Sequence, residues 1–443
     1  MDSTGMPRLT VLGTGYLGAT HAICAAALGA DVMGVDVDER RIARLAAGEL
    51  PFFEPGLPEL LAKALDSGRL RFTTSYAEAG AFGDVHFLCV GTPQRPGSDA
   101  CDLSYVDAAV RSLAPTLERR ALVVGKSTVP VGTAARLARL LRELAPAGAD
   151  VELAWNPEFL REGHAVDDTM RPDRLVFGVG SDWAEERLRA AFRPLLEQGT
   201  PVITTDPATA ELAKVAANAY LATKISFINA MAEVCEAAGA DVAALAAALA
   251  PDERIGGACL RPGLGFGGGC LPKDIRAFAH RAEEIGAGRA VAFLREVDAI
   301  NRRRRARTVD LVRELLDGRI CGARIAAWGA AFKPNSDDVR DAPALDVART
   351  LHGLGAHVRV FDPAALDNAR RAFPELRYGR SALDAARGAD VVVLLTEWAD
   401  FRAVEPDALA GVVAHRRIVD GRHALDAARW RAAGWEYRAL GRA

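Results

Sequence analysis

The sequence is poor in the residue types that mark disulfide-rich or metal-binding proteins. It has only seven cysteines in 443 residues, an odd number, scattered along the chain and without a CxxC pair. This pattern argues against a disulfide framework and against a zinc site. We therefore expect no metal, and a reducing compartment such as the cytoplasm.

An excess of charge of one sign is also missing. The net charge is −3, so no bulk field draws the protein to nucleic acid or to an anionic membrane surface. No apolar run is long enough for a membrane span, and the first six residues lack the basic and apolar pattern of a signal peptide. The one basic cluster, residues 302–305 with Arg307, lies in a helical pattern and is interpreted as a solvated surface, which could lie near a phosphate or a subunit contact. We expect neither nucleic acid nor a membrane as partner.

The chain is too long for a single hydrophobic core, so two or three domains are expected. Strand and helix patterns alternate in the first part and again near the C-terminus, and a long helical pattern separates them. The sequence predicts an α/β fold with two Rossmann-like domains and parallel sheets, joined by a long central helix that forms a dimer surface. The predicted boundaries are 1–205, 206–316 and 317–443.

A glycine motif near the N-terminus predicts a dinucleotide site. A short apolar strand runs into GxGxxG at residues 13–18, and a helix pattern, a second strand and Asp36 follow. The first glycine allows the turn, the second lets the backbone approach a pyrophosphate, and the third packs helix on strand. Asp36 favours NAD over NADP, although the nearby Arg41 could instead hold a 2′-phosphate. The predicted cofactor-binding residues here are Gly13, Gly15, Tyr16, Leu17, Gly18, Asp36 and Arg41.

Polar residues follow several later strands. Thr92, Ser127 and Thr128 come directly after predicted strands, where ligands of open α/β sheets bind. They could also be ordinary turn residues. Glu158 and Glu162 are four residues apart after a proline, which suits one face of a helical turn. This pair is either solvated or involved in acid/base chemistry or sugar binding.

The stretch of residues 263–274 is the candidate reactive loop. Five of its first seven residues are glycine, and Cys270 and Asp274 follow. It is either a nucleophile site or a flexible loop with an incidental cysteine. Before it, Lys214 and Asn218 share a face of the long helix in an apolar surround, where polar groups need partners.

Together these motifs resemble the nucleotide-sugar 6-dehydrogenases of the UDP-glucose/GDP-mannose dehydrogenase family. The resemblance covers nearly the whole chain in the same motif order, and the segment Cys–Leu–Pro–Lys–Asp at residues 270–274 is specific. It implies a four-electron, NAD-dependent oxidation of a nucleotide-sugar, expected to be UDP-glucose, at C6 to the uronic acid. The expected role is therefore UDP-glucuronate biosynthesis.

The resemblance also implies catalytic roles. Cys270 matches the nucleophile, which forms a thiohemiacetal and then a thioester. Lys214 and Asn218 match two groups that stabilise the oxyanion, and Asp274 matches a carboxylate that assists the base or water step. These roles agree with thiolate chemistry, since a thioester is readily hydrolysed.

Further roles follow from the resemblance alone. Thr128 and Glu158 match a pair that positions a catalytic water, with Glu158 a possible base. Arg254 matches an arginine that reaches the substrate from the neighbouring subunit of a homodimer or larger homo-oligomer. The further implied NAD contacts are Thr92, Ser127, Glu162 and Arg340. The implied substrate contacts are Glu158, Phe159, Leu160, Lys214, Asn218, Arg254, Phe266, Gly267, Phe332, Lys333 and Arg422.

Three alternatives stay open at this point. The same chemistry could act on TDP-glucose or GDP-mannose, because residues 261–264 lack the polar residues expected in UDP-glucose enzymes. A two-electron dehydrogenase of the hydroxyacid type would need no cysteine. A non-catalytic NAD-sensing module would leave Cys270, Lys214 and Asp274 without a purpose.

Overall fold

The computed structural model describes residues 5–442. The signal-peptide expectation rests on residues 1–6, of which the first four lie outside the described residues. The chain divides into two compact units, Met1–Ala217 and Asn218–Ala443. The three predicted domain boundaries remain predictions.

The first unit is built on a sheet of eight strands among its described residues, in the order β3-β2-β1-β4-β5-β6-β7-β8. All neighbouring strands are parallel except β6 and β7. The strands are β1 Leu9–Leu12, β2 Val32–Val35, β3 Leu70–Thr73, β4 Val85–Leu88, β5 Ala121–Gly125, β6 Val151–Trp155, β7 Leu175–Gly178 and β8 Val202–Thr205. The helices are α1 Tyr16–Ala27, α2 Glu39–Ala46, α3 Leu57–Asp66, α4 Tyr76–Phe82, α5 Ser104–Leu113, α6 Thr133–Leu144, α7 Ala165–Met170, α8 Asp182–Ala191 and α9 Arg193–Glu197, with 3-10 turns at Ala114–Thr116 and Gly148–Asp150.

Alternation along the central strands of this unit places a core on each face of the sheet. In β1, Val11 packs into one apolar cluster and Leu12 into the other. Phe87 and Leu88 of β4 divide in the same way. The strand order reverses between β1 and β4, and ligands of such sheets bind at the carboxyl ends of the strands at this reversal.

The long helix α10 spans Pro207–Ala238, which confirms the predicted central helix. The second unit continues with α11 Val242–Leu249, α12 Leu271–Glu284, a 3-10 turn Gly288–Val291 and α13 Phe293–Leu315.

A parallel sheet of six strands among the described residues follows, in the order β11-β10-β9-β12-β13-β14. Its strands are β9 Arg324–Trp328, β10 His357–Phe361, β11 Arg377–Tyr378, β12 Val391–Leu394, β13 Arg417–Asp420 and β14 Glu436–Ala439. Its helices are α14 Pro343–Gly353, α15 Leu366–Ala372, α16 Ala382–Ala386, α17 Ala399–Arg402, α18 Pro406–Ala410 and α19 Ala427–Ala432. The prediction of two Rossmann-like α/β sheets is confirmed.

The basic cluster of α13 is only partly a solvated surface, since Arg302 and Arg303 are exposed but Arg304 and Arg305 are buried. Arg304 is only 1% exposed and pairs with Glu236 at 2.7 Å. Arg305 pairs with Asp341 at 2.9 Å. The acidic partners lie 36 and 68 residues away in sequence, so the local pattern could not show that these charges are paired. The interpretation of the whole cluster as solvated is therefore wrong.

None of the helices within residues 5–442 is both long and apolar enough to cross a membrane. No cluster of three or more His, Cys, Asp and Glu side chains in this part of the chain could hold a metal ion.

Candidate active site

The turn after β1 has the geometry that a dinucleotide requires. Gly13 has φ +89°, and a Cβ there would lie 2.8 Å from the Val90 side chain. A Cβ on Gly18 would lie 1.7 Å from the Gly13 carbonyl oxygen. At Gly15, the N-cap of α1, an added Cβ would meet nothing within 4 Å. The turn is therefore packed at the first and third glycines and open at the second, where the N–H groups of α1 can bind a diphosphate.

Asp36 is held at the end of β2 by four contacts. Its carboxylate accepts from the Thr14 N–H at 2.7 Å, the Asp38 N–H at 3.0 Å and the Arg41 guanidinium at 2.8 Å, and it also accepts from the Thr14 hydroxyl. Burial alone would raise the pKa of Asp36, but these hydrogen bonds outweigh it and lower the pKa. Arg41 is therefore paired with the carboxylate that would accept from a ribose 2′-hydroxyl, which favours NAD.

Tyr16 connects the glycine turn to a buried carboxylate, Glu54. The Tyr16 hydroxyl donates to Glu54, which is 3% exposed and also accepts from the N–H groups of Gly163 and Ala165 at 2.7 Å each. Burial and the Glu54 contact raise the pKa of Tyr16, and the charge of Glu162 adds to this effect. Sequence reasoning gave Glu54 no role.

The segment of residues 156–164 is not helical, so the predicted helical turn carrying Glu158 and Glu162 is wrong. The Leu160 N–H donates to the Glu158 carboxylate at 2.6 Å, and Gly163 has φ +78°. These local contacts, with the Glu54 contact to Gly163, replace the helical hydrogen bonds.

Lys214 and Glu158 form a buried ion pair. The Lys214 Nζ lies 3.0 Å from a Glu158 carboxylate oxygen, and the two side chains are 6% and 11% exposed. The Lys214 ammonium also lies 5.7 Å from the centre of the Phe159 ring. A buried ammonium among apolar residues needs a charged partner, and for Lys214 this partner is Glu158.

Hydrogen bonds connect the segments that follow β4 and β5. The Thr92 hydroxyl donates to the Thr128 carbonyl at 2.8 Å, and the Ser127 hydroxyl donates to the Val90 carbonyl at 2.7 Å. The adjacent Lys126, which sequence reasoning passed over, is buried, and its ammonium donates to the Asn156 side chain at 2.8 Å. Burial lowers the pKa of Lys126.

In the second unit, Cys270 is the N-cap residue of α12, and its side chain is exposed. A helix N-terminus favours negative charge, which suits a thiolate. Cys24 and Cys89 differ, since burial raises the pKa of each thiol to about 12. Asp274, in the first turn of α12, is 3% exposed and accepts from the Asn218 side chain at 2.7 Å and from the Lys273 ammonium. Asn218, Cys270 and Asp274 are thus assembled around one helix terminus.

The glycines before Cys270 are in close contact with one substrate-site candidate, Phe332, and one cofactor-site candidate, Arg340. An added Cβ at Gly268, which has φ +85°, would lie 2.8 Å from the Phe332 ring. At Gly269 it would lie 2.3 Å from the Arg340 guanidinium. Larger residues therefore cannot fit at these positions without moving their neighbours.

Arg422 binds three backbone carbonyls in this region. Its guanidinium donates to the carbonyls of Leu395 at 2.8 Å, Gly265 at 2.9 Å and Phe332 at 3.2 Å. Lys333 lies beside the Phe332 ring, at 5.3 Å from its centre. Arg254 is instead highly exposed and pairs with its neighbour Asp252 at 2.7 Å.

Three models of one family match successive parts of the chain. They are the NAD binding domain of the UDP-glucose/GDP-mannose dehydrogenase family over residues 7–196, its central domain over residues 208–303 and its UDP binding domain over residues 326–427. The chain belongs to the UDP-glucose/GDP-mannose dehydrogenase family. The predicted family, the NAD cofactor and the assignment as an NAD-dependent nucleotide-sugar dehydrogenase are confirmed.

Individual members of the family match over almost their full length. The chain is 43% identical over 437 residues to UDP-glucose 6-dehydrogenase of Rhizobium meliloti, covering 98% of this chain and 99% of that protein. It is 41% identical over 444 residues to UDP-glucose 6-dehydrogenase of Pseudomonas aeruginosa, covering 98% and 97%. Among solved structures, a UDP-glucose dehydrogenase from the archaeon Pyrobaculum islandicum has a TM-score of 0.92 at 37% identity, covering 100% of this chain and 99% of that chain.

The Asp36 contacts predict how this dehydrogenase selects its cofactor. Replacing Asp36 with serine removes the acceptor for the 2′-hydroxyl and leaves Arg41 available for a 2′-phosphate. We expect the ratio of kcat/KM for NADP to that for NAD to rise roughly 100-fold. NAD loses a hydrogen bond from its 2′-hydroxyl to a charged carboxylate, and the 2′-phosphate of NADP is no longer repelled by that carboxylate. Steady-state rates with both cofactors measure this ratio. Glu39→Gln, at an exposed position of α2, is the control. An unchanged ratio in Asp36→Ser would contradict the role of Asp36.

Proposed function

We propose that this protein oxidises UDP-glucose at C6 to UDP-glucuronate, with two equivalents of NAD+, through a covalent intermediate on Cys270. The observation that carries the proposal is the exposed Cys270 at the N-terminus of α12, with Asp274 fixed by Asn218 one turn further. The similarity to UDP-glucose 6-dehydrogenases at 43% and 41% identity supports UDP-glucose as the substrate.

Cys270 turns the aldehyde formed in the first oxidation into a bound species that can be oxidised again. Its thiolate adds to the C6 carbonyl carbon, and the carbonyl oxygen becomes the oxyanion of a thiohemiacetal. Loss of hydride from C6 gives a thioester, and attack by water releases the carboxylate and the thiol. Bound NAD+ supplies the hydride acceptor for each oxidation.

Lys214 and Asn218 are proposed to stabilise the oxyanion. The Lys214 ammonium has three N–H donors, and its ion pair with Glu158 holds it in position. The Asn218 amide has two N–H donors. One donates to the Asp274 carboxylate, and this hydrogen bond fixes the direction in which the second N–H points. Preorganised donors of this kind favour the charge that develops in the transition state.

Glu158 and Thr128 are proposed to position and deprotonate the water that hydrolyses the thioester. The Glu158 carboxylate is an acceptor held between Lys214 and the Leu160 N–H. Asp274 is proposed to assist the base or water step.

The nucleotide-sugar is proposed to bind along the C-terminal half and the glycine-rich loop. Lys333 and Arg422 supply positive charge for the diphosphate. Three N–H groups of Arg422 bind backbone carbonyls, so at most two of its five remain for a ligand. The proposed contacts of the sugar and the base are Glu158, Phe159, Leu160, Arg254, Phe266, Gly267 and Phe332. The proposed contacts of the cofactor are Gly13, Gly15, Tyr16, Leu17, Gly18, Asp36, Arg41, Thr92, Ser127, Glu162 and Arg340.

The proposed assembly is a homodimer, or a larger homo-oligomer, through α10. Tyr220, Phe227 and Val234 recur every seven residues on this helix and are 65%, 49% and 56% exposed. An apolar face of this kind is typical of a surface that another chain covers. Light scattering should give at least twice the chain mass of 47.1 kDa, and a monomer would contradict the proposal.

The proposed compartment is the cytoplasm, since all seven cysteines are thiols in the structure.

A panel of nucleotide-sugars tests the substrate. The purified protein is incubated with NAD+ and with UDP-glucose, TDP-glucose or GDP-mannose, and NADH absorbance is followed. We expect the highest kcat/KM with UDP-glucose. A higher value with TDP-glucose or GDP-mannose would reassign the substrate, and no turnover with any of the three would overturn the proposed function.

A further inference from the structure

The glycine-rich loop is held at one residue by a side-chain amide of α13. The Asn301 Oδ1 accepts from the Phe266 N–H at 2.7 Å, and the Asn301 Nδ2 donates to the Phe266 carbonyl at 2.9 Å. Asn301 is 1% exposed. One amide therefore satisfies both backbone groups of a single loop residue, and Phe266 cannot turn without breaking two buried hydrogen bonds.

The neighbouring residue is fixed together with Phe266. Gly265 has φ +94°, and an added Cβ there would lie 2.1 Å from the Asn301 Oδ1. The Gly265 carbonyl accepts from Arg422 at 2.9 Å, and the Phe266 carbonyl accepts a second contact from Arg305 at 3.3 Å. Glycine is required at residue 265 because the Asn301 amide fills the space that a side chain would need.

Between this contact and α12, the loop has one further backbone hydrogen bond, which the Gly268 N–H donates to the Arg340 carbonyl at 3.0 Å. Only three residues, all glycines, separate Phe266 from Cys270, and α12 begins at the next residue, Leu271. Glycine backbones lose the most conformational freedom when they are ordered. Fixing Phe266 at one end and α12 at the other restricts where the Cys270 thiol can lie.

We propose that Asn301 is a positioning residue for the Cys270 thiol. It acts through the backbone of Phe266, and the assignment rests on the proposed role of Cys270 as nucleophile. A displacement of a reacting group by about 1 Å can cost roughly 100-fold in rate. The first oxidation, of alcohol to aldehyde, forms no bond to sulfur, whereas the second proceeds from the thiohemiacetal. A displaced thiol should therefore slow the second oxidation selectively.

The test is a single-turnover experiment on the full-length chain, with enzyme in excess over UDP-glucose and NADH followed by stopped flow. Asn301→Asp keeps the size of the side chain and the acceptor for the Phe266 N–H, but it places a carboxylate oxygen against the Phe266 carbonyl. We expect formation of the second NADH to slow roughly 30- to 100-fold and formation of the first to change less than threefold. The KM for NAD should stay within about twofold, because Asn301 is proposed to act only on the loop.

Thr308→Val is the matched control. Thr308 is fully buried on the same helix, and its hydroxyl donates to the Arg304 carbonyl of α13 itself. This variant should lower the thermal midpoint and leave the ratio of the two NADH rates unchanged. If Asn301→Asp does not yield folded protein, Asn301→Ser takes its place, with the same expectation.

Equal slowing of both steps, or wild-type rates for both, would overturn the positioning role of Asn301. Failure of the proposed function looks different. In that case the wild-type protein itself forms one NADH, or none, from each UDP-glucose.

Discussion

Cys270→Ser should lower steady-state NADH formation from UDP-glucose by roughly 1,000-fold or more. A serine hydroxyl is not ionised at neutral pH, adds poorly to an aldehyde and cannot form a thioester. The helix N-terminus at Cys270 cannot compensate, because it favours an anion that serine does not provide. The initial rate at saturating NAD+ and UDP-glucose measures the effect.

The control for this variant is Cys259→Ser. Cys259 is also exposed and lies eleven residues before Cys270, in the same segment of the chain. It should retain the wild-type rate, which separates a role of Cys270 from a general sensitivity of surface thiols. Full turnover by Cys270→Ser, with two NADH for each UDP-glucose, would refute the covalent mechanism.

Lys214→Met should lower kcat by roughly 100- to 1,000-fold, the range expected when a group that stabilises an oxyanion is removed. It should also destabilise the fold by about 3–5 kcal/mol, because Glu158 is left as a buried, unpaired carboxylate. Initial rates and denaturant unfolding measure the two effects separately.

A double variant separates catalysis from stability at this pair. Lys214→Met combined with Glu158→Gln removes both charges, so most of the lost stability should return. Activity should stay low, since the oxyanion still lacks its cation and the proposed base Glu158 is replaced as well. If the double variant regained wild-type kcat, neither Lys214 nor Glu158 would have the proposed catalytic role, and the pair would be needed only for the fold.

Local sequence patterns predicted the features that depend on neighbouring residues. The glycine turn of residues 13–18, the acid at the end of β2 and the helix Pro207–Ala238 follow from spacing and periodicity alone. Cys270 could be recognised because glycines, a thiol and a carboxylate lie within twelve residues. The structure adds that Cys270 lies at a helix N-terminus.

Contacts between distant segments could not be predicted in this way. Glu54 binds Gly163, which is 109 residues away, and Asn301 binds Phe266, which is 35 residues away. Neither residue belongs to a local pattern that indicates a partner. Glu158 and Glu162 have helical spacing, but the hydrogen bond of the Leu160 N–H to the Glu158 carboxylate and the positive φ of Gly163 exclude the helix.

The ratio of NADH formed to UDP-glucose consumed tests the four-electron oxidation most directly. With excess NAD+ and a limiting, known amount of UDP-glucose, the reaction is run to completion, and absorbance and product mass are both recorded. The expected result is two NADH for each UDP-glucose, with UDP-glucuronate as the only product. One NADH for each UDP-glucose, with an aldehyde as product, would contradict it.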